Sequence, residues 1–226
     1  MLLGIETSTA TGSVAVGDEA SVLAEVVLGV QSRHAESVLP AVEFALATAG
    51  LTLDGLDGVV VGAGPGSFTG VRVGAATAKG LVRARGLPLF AYSGLLALAS
   101  GAGVDRPVCA LFDARRGEVY AACYRVGDAV DEVLAPGARV LEDVLDAVGG
   151  LDPLYAGDGA LAYRDAIAGR GGRVAPAHMA VPRASALIWL ATTFPARGRV
   201  PEPVSWEPSY LRDPGAVRGV GRGAMG

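Results

Sequence analysis

The sequence predicts an α/β protein of two similar lobes, each built from a β-β-β-α-β-α unit. Three observations carry that reading. Three short apolar strands open the chain, a helical-period segment and the uninterrupted run Val59-Val60-Val61 follow, and the same order of signals recurs after residue 104. With 226 residues, 51% of them hydrophobic and 19% charged, the chain has material for a sizeable core and too little charge for a disordered polyelectrolyte.

In the first unit, Leu2–Glu6 is an apolar strand, a Ser/Thr/Gly turn runs through Ser8 and Gly12, and Ser13–Val16 and Val22–Leu28 are two further strands. From Ala35 to Gly50 the period changes to that of a helix, with Val38, Leu39, Val42, Ala45, Leu46 and Ala49 on one stripe and Gly50 as its stop. Val59–Val61, apolar at every position, is a strand buried on both faces. It enters a Gly-rich loop, Gly62–Gly70, and then a helix to about Arg85. In the second unit Val108–Phe112, Val119–Tyr124 and Val130–Val140 are strands, Leu141–Val148 a helix, Leu154–Ala156 a strand and Leu161–Ala168 a helix. Ile5-Glu6 followed by Gly12-Ser13-Val14 matches Phe112-Asp113 followed by Gly117-Glu118-Val119. A duplicated unit of this order is the arrangement of the actin-like ATPase (ribonuclease H-like) fold, in which two lobes face each other across a cleft. The expected lobes are 1–103 and 104–212, the second ending in a helix through Leu187, Trp189 and Leu190. The Gly- and Arg-rich 213–226 has almost nothing to bury and reads as a disordered tail.

Charge and composition remove several function classes. The net charge of −4 gives no general nucleic-acid signature, and no apolar run approaches the roughly 18 residues of a membrane span. The N-terminus has no basic segment or cleavage site, so a cytoplasmic protein is expected. Cys109 and Cys123 are the only cysteines and lie in strands, which suits buried, reduced thiols. His34 and His178 are the only histidines and fall in different halves, so no H-x-x-x-H or H-E-x-x-H metal site exists. From Gly58 to Val104 there is no Asp or Glu, while Arg72, Lys79, Arg83 and Arg85 all occur there. That block can supply neither a carboxylate base nor a hard-metal ligand.

The loop Gly64-Pro65-Gly66-Ser67-Phe68-Thr69 lies between a buried strand and a helix, where backbone N–H groups converge on anions. It lacks the Gly-Lys-Ser/Thr of a P-loop and the G-x-G-x-x-G spacing of a dinucleotide site. Two roles fit it equally: an anion cradle, or a sharp turn that packs closely. Glu6 and Asp113 end equivalent strands and are expected to face each other across the cleft, the place where phosphotransferases of this architecture hold magnesium. With Arg115, Gly157, Asp158 and Gly159 they would line a vestigial nucleotide site. Asp113 is followed by Ala114-Arg115-Arg116 where a phosphate-cradling turn would need Gly or Thr, so pairing with an arginine competes with metal binding.

The block Gly64–Gly74, continued by Ala78-Lys79-Gly80-Leu81, resembles the signature of the TsaB (YeaZ) family. Ile5-Glu6-Thr7-Ser8, Asp113-Ala114-Arg115 with Glu118-Val119-Tyr120, Gly157-Asp158-Gly159 and Tyr210-Leu211-Arg212 agree with it. The resemblance implies a part in forming N6-threonylcarbamoyladenosine (t6A) beside the tRNA anticodon, as a non-catalytic paralogue of the transferase TsaD. TsaD carries an H-x-x-x-H after its own Gly-Pro-Gly loop; Ser93 and Ala97 stand at those positions here and cannot hold its metal. Glu6 departs from the family's more frequent Asp. The resemblance further implies no cofactor on this chain alone, with ATP and metal on its partners TsaD and TsaE. It implies a homodimer in isolation and tRNA reached only through the complex, with neither membrane nor DNA among the partners. A nucleotide-dependent transferase or kinase of the same fold is the alternative function.

A partner-binding face is expected on the two helices of the first lobe. Pro40, Phe44 and Ala47 form a second apolar strip on the first helix. On the second helix Gly70, Gly74, Thr77 and Leu81 recur at three- and four-residue spacing, which lets another helix approach, and Arg72, Lys79 and Arg83 would rim the contact.

Overall fold

The computed structural model describes residues 1–29, 34–115 and 117–211. The expected tail, Arg116, Arg212 and the His34 side chain lie outside the described residues. The first unit runs β1 (Leu2–Glu6), β2 (Gly12–Gly17), β3 (Val22–Leu28), α1 (His34–Thr48), β4 (Gly58–Gly62), α2 (Phe68–Arg85), β5 (Leu89–Tyr92) and α3 (Gly94–Gly101). The second runs β6 (Val108–Asp113), β7 (Glu118–Val126), β8 (Val130–Val140), α4 (Leu141–Val148), β9 (Leu154–Ala156), α5 (Asp158–Ala162), α6 (Arg164–Gly169) and β10 (Arg173–Val174). After it come α7 (Ala184–Thr193), α8 (Pro195–Gly198) and β11 (Arg199–Val200).

The duplication is plain in the sheets. One has the order β11-β5-β4-β1-β2-β3, the other β10-β9-β6-β7-β8. In each, three antiparallel strands form a meander, and the first of them pairs in parallel with the strand that follows a helix. Apart from β11 the two orders coincide strand for strand. This is the actin-like, ribonuclease H-like topology.

Side-chain alternation sorts the residues into layers. Leu3, Ile5, Val59 and Val61 face α1 and α2, packing with Val38, Val42, Ala45, Ala78 and Val82. Val60 faces the other way, into a core shared by both sheets that also holds Leu95, Leu98, Ala110, Phe112, Tyr124, Leu187 and Ile188. The far face of the second sheet packs Cys109, Leu111 and Cys123 against Val144, Leu145 and Ile167. The result is five layers: α1/α2, sheet, α3/α7, sheet, α4–α6.

Several expectations change. α3 and α7 fill the space between the sheets, and α7 packs on β1 and β2 closely enough that a side chain at Gly4 would strike the Ala184 carbonyl. β11 pairs with β5. The segment from Ala184 to Val200 therefore returns to the first sheet, which draws its strands from both sides of residue 103. The expected Leu161–Ala168 helix is two short helices broken at Tyr163. Leu39, assigned to the inner stripe of α1, points outward and is 52% exposed.

Candidate functional site

The Gly-rich loop is clamped between the turn after β1 and the start of α3. The Ala63 amide donates to the Tyr92 carbonyl at 2.7 Å, the Ser67 amide to Ser8 O at 2.7 Å, and the Gly94 amide to Gly64 O at 2.9 Å. Ser67 caps α2, its hydroxyl accepting from the Gly70 amide at 3.3 Å. Gly66 sits at φ 150°, and a Cβ there would lie 2.0 Å from the Ser8 carbonyl oxygen. The close packing expected of one role of this loop is displayed, with the Ala63, Ser67 and Gly70 amides turned to protein acceptors.

The same packing explains Gly70 and Gly74. A Cβ on Gly70 would be 2.1 Å from Thr7 O and one on Gly74 2.4 Å from Thr7 Oγ1, while the Thr7 hydroxyl donates to Gly70 O at 2.8 Å. Both glycines are buried and let α2 lie against the β1–β2 turn. Their expected place on a partner-binding face is corrected: the close approach they allow is internal.

Glu6 does not line an open cleft, and that expectation is corrected as well. Its side chain is fully buried, facing the middle layer where Gly62 and Gly94 leave it room; a Cβ at Gly62 would overlap its Oε2 at 2.1 Å. One oxygen, Oε1, accepts from the Ser8 amide at 2.6 Å and from the Ser8 hydroxyl. Oε2 has no partner. Burial drives the Glu6 carboxyl above the ordinary glutamate range, opposed in part by the bonds from Ser8.

The remaining cleft residues assemble without Glu6, whose polar contacts are with the Thr7–Ser8 turn. At the ends of β6 and β9, Asp158 Oδ1 accepts from the Asp113 amide at 3.1 Å and from the Gly159 amide at 2.8 Å. The Asp113 carboxylate accepts from the backbone amide of Arg115 at 2.8 Å, with Arg115 in the left-handed region at φ 65°. This contact is to the Arg115 backbone and not to a guanidinium, so the charge pairing with an arginine expected for Asp113 is not displayed by it. Gly157 packs on Leu111, whose carbonyl oxygen would be 2.0 Å from a Cβ.

On the outer helices, Pro40, Phe44 and Ala47 are exposed, Phe44 at 63%. Arg83 is exposed too, whereas Leu81 is half-buried against the α1/α2 core and Thr77 bonds its own helix at Val73 O, 2.9 Å. Arg72 and Lys79 have intramolecular partners that the sequence did not reveal. Lys79 Nζ donates to the Trp206 carbonyl at 2.9 Å, and Arg72 Nε to the Tyr210 hydroxyl at 3.2 Å. Both partners belong to the Pro-rich strip 201–211, which crosses α2 and is pinned to the Gly-rich loop by the Ser209 amide on Ala63 O at 3.0 Å. The available signal was the two aromatics, Trp206 and Tyr210, in a Pro-rich stretch.

Topology and loop together define a two-unit actin-like protein whose strand-end acid is sealed into its core. The family described as TsaD, tRNA N6-adenosine threonylcarbamoyltransferase, matches residues 22–218. Within that group the chain is 32% identical to the tRNA threonylcarbamoyladenosine biosynthesis protein TsaB of Escherichia coli over 223 residues, 94% of each chain. It is 36% identical to the protein of that name from Bacillus subtilis over 141 residues, 62% of each. Among solved structures, YeaZ from Pseudomonas aeruginosa superposes with a TM-score of 0.80 at 32% identity, covering 93% of this chain and 99% of that one. The chain belongs to the TsaB (YeaZ) family of tRNA threonylcarbamoyladenosine biosynthesis proteins.

Proposed function

We propose that this chain is the non-catalytic subunit of t6A formation, a scaffold that binds and activates a TsaD-type threonylcarbamoyltransferase together with TsaE in the cytoplasm. One observation carries the reading. Where TsaD has its metal-binding histidine pair, this chain has Ser93, which caps α3 by accepting from the Leu95 amide at 3.2 Å, and Ala97, buried in the middle layer. Serine in a cap and alanine in a core leave no imidazole for a metal. The sealed Glu6 supports the same reading, since a carboxylate without access to solvent cannot meet a nucleotide-bound magnesium.

The protein's contribution is then a surface. Leu39, Pro40, Phe44 and Ala47 on α1, with Thr77, Leu81 and Arg83 on α2, offer an apolar centre with a charged edge. TsaD occupies this face in the complex, and a second copy of the chain occupies it in isolation. ATP and metal act on TsaD and TsaE, with no cofactor bound by this chain alone. Co-purification with TsaD from the same cell tests the reading: a stable complex is expected, and its absence at micromolar concentrations overturns it. Tight magnesium-dependent ATP binding by the isolated chain would favour a nucleotide-dependent enzyme instead.

A further inference from the structure

Phe68, Arg72 and Tyr210 form a surface cluster that the scaffold role does not use. The Arg72 guanidinium carbon lies 3.7 Å above the Phe68 ring centroid and 5.8 Å from that of Tyr210. The two rings are 5.4 Å apart and tilted by 47°. Phe68 is 39% and Tyr210 36% exposed. Arg72 Nε is engaged by the Tyr210 hydroxyl at 3.2 Å, while its two terminal amino groups have no acceptor, and its charge no carboxylate, among the described residues.

We infer that this cluster is a direct contact for single-stranded RNA, with a base stacked on the exposed aromatic and guanidinium planes and a phosphate held by the free edge of Arg72. The inference rests on the assignment to tRNA modification and goes beyond it, because it gives this chain its own hold on the RNA rather than one through a partner. Three features select RNA over a protein partner. Ring faces and a guanidinium plane are what unstacked bases pack upon, and the phosphate needs an arginine that no carboxylate neutralises. The surround is polar, with Ser67, Thr69 and Ser209 exposed beside the rings, whereas a protein-binding centre is apolar like the Phe44 strip on α1. Arg72 is also held in place by both rings and the tyrosine hydroxyl, so little side-chain entropy is lost when a ligand arrives. The strip 201–211 positions this platform: the Trp206 and Ser209 contacts to Lys79 and Ala63 set where Tyr210 lies.

The test uses the purified full chain, a fluorescein-labelled single-stranded RNA of mixed sequence, and an unmodified tRNA transcript, read by anisotropy across a salt series. Arg72→Ala and Tyr210→Ala should each weaken RNA binding by about tenfold, the scale of one lost stacking or phosphate contact. Arg72→Ala should also lower the slope of log affinity against log salt by about 1, which a purely structural role would not do. Arg72→Lys keeps the charge and should restore the salt slope without restoring full affinity, and it serves if either alanine variant melts early. Affinities within twofold of the parent in all folded variants overturn the inference. So does a parent chain that binds neither RNA, or variants that lose TsaD co-purification with RNA affinity unchanged, since the cluster would then be a protein contact. The scaffold reading stands or falls separately, on co-purification of the parent chain.

Discussion

Glu6 combines a full burial with one unpartnered oxygen, an arrangement that disfavours the charged form. Its carboxyl is raised by desolvation, so the folded state binds a proton that the unfolded state releases at lower pH. The associated stability is therefore fully present below the ordinary glutamate range and is lost as pH rises through the raised folded value. Glu6→Gln, neutral at every pH, should flatten that part of the pH–stability profile and melt at or above the parent at neutral pH; parallel parent and variant profiles would contradict this account. Gly66→Val should cost about 1–3 kcal/mol, because the Ser8 carbonyl must move and φ 150° suits no β-branched residue. A denaturant melt coincident with the parent's would contradict it. The special turn at Gly64–Gly66 was legible in the sequence. The burial of Glu6 was not, because a strand-end acid carries no sign of the two glycines, 62 and 94, that close over it.

Among the elements, α4 is legible nearly to the residue because one of its faces is apolar and the other polar, and α1 from its helical spacing and the stop at Gly50, although its outer face is apolar too. α3 went unread for the opposite reason: Leu95-Leu96-Ala97-Leu98-Ala99 is apolar on every side, as a helix between two sheets must be, and shows no period. The two-residue strands β10 and β11 are too short to alternate. On α2 the glycine spacing was visible but its direction was not, and Thr7 decided it. The proposed partner-binding face thus centres on α1, with Thr77, Leu81 and Arg83 of α2 at its edge. Phe44→Asp changes a side chain that is 63% exposed, so the melting temperature should stay near the parent's. It places a charge at the centre of the proposed contact and should abolish TsaD co-purification. A folded variant that binds TsaD at parent affinity would move the interface elsewhere.

At the scale of the molecule, the duplication was legible because element order survives where sequence identity between the halves does not. The five-layer stack was not: the return of α7 and β11 to the first sheet depends on the close approach of Ala184 to Gly4 and on a strand pairing about 110 residues distant along the chain. A middle layer filled by α3 and α7, a loop packed on the turn after β1 and a sealed acid fit the proposal that this actin-like frame acts through its outer surface. The direct measurement is t6A per tRNA in reactions rebuilt from purified TsaD, TsaE, TsaC and this chain, with each left out in turn. The account predicts modification with all four, a severe loss when this chain is omitted, and none from this chain with TsaC and tRNA alone. Threonylcarbamoyl transfer by this chain in the absence of TsaD would contradict it.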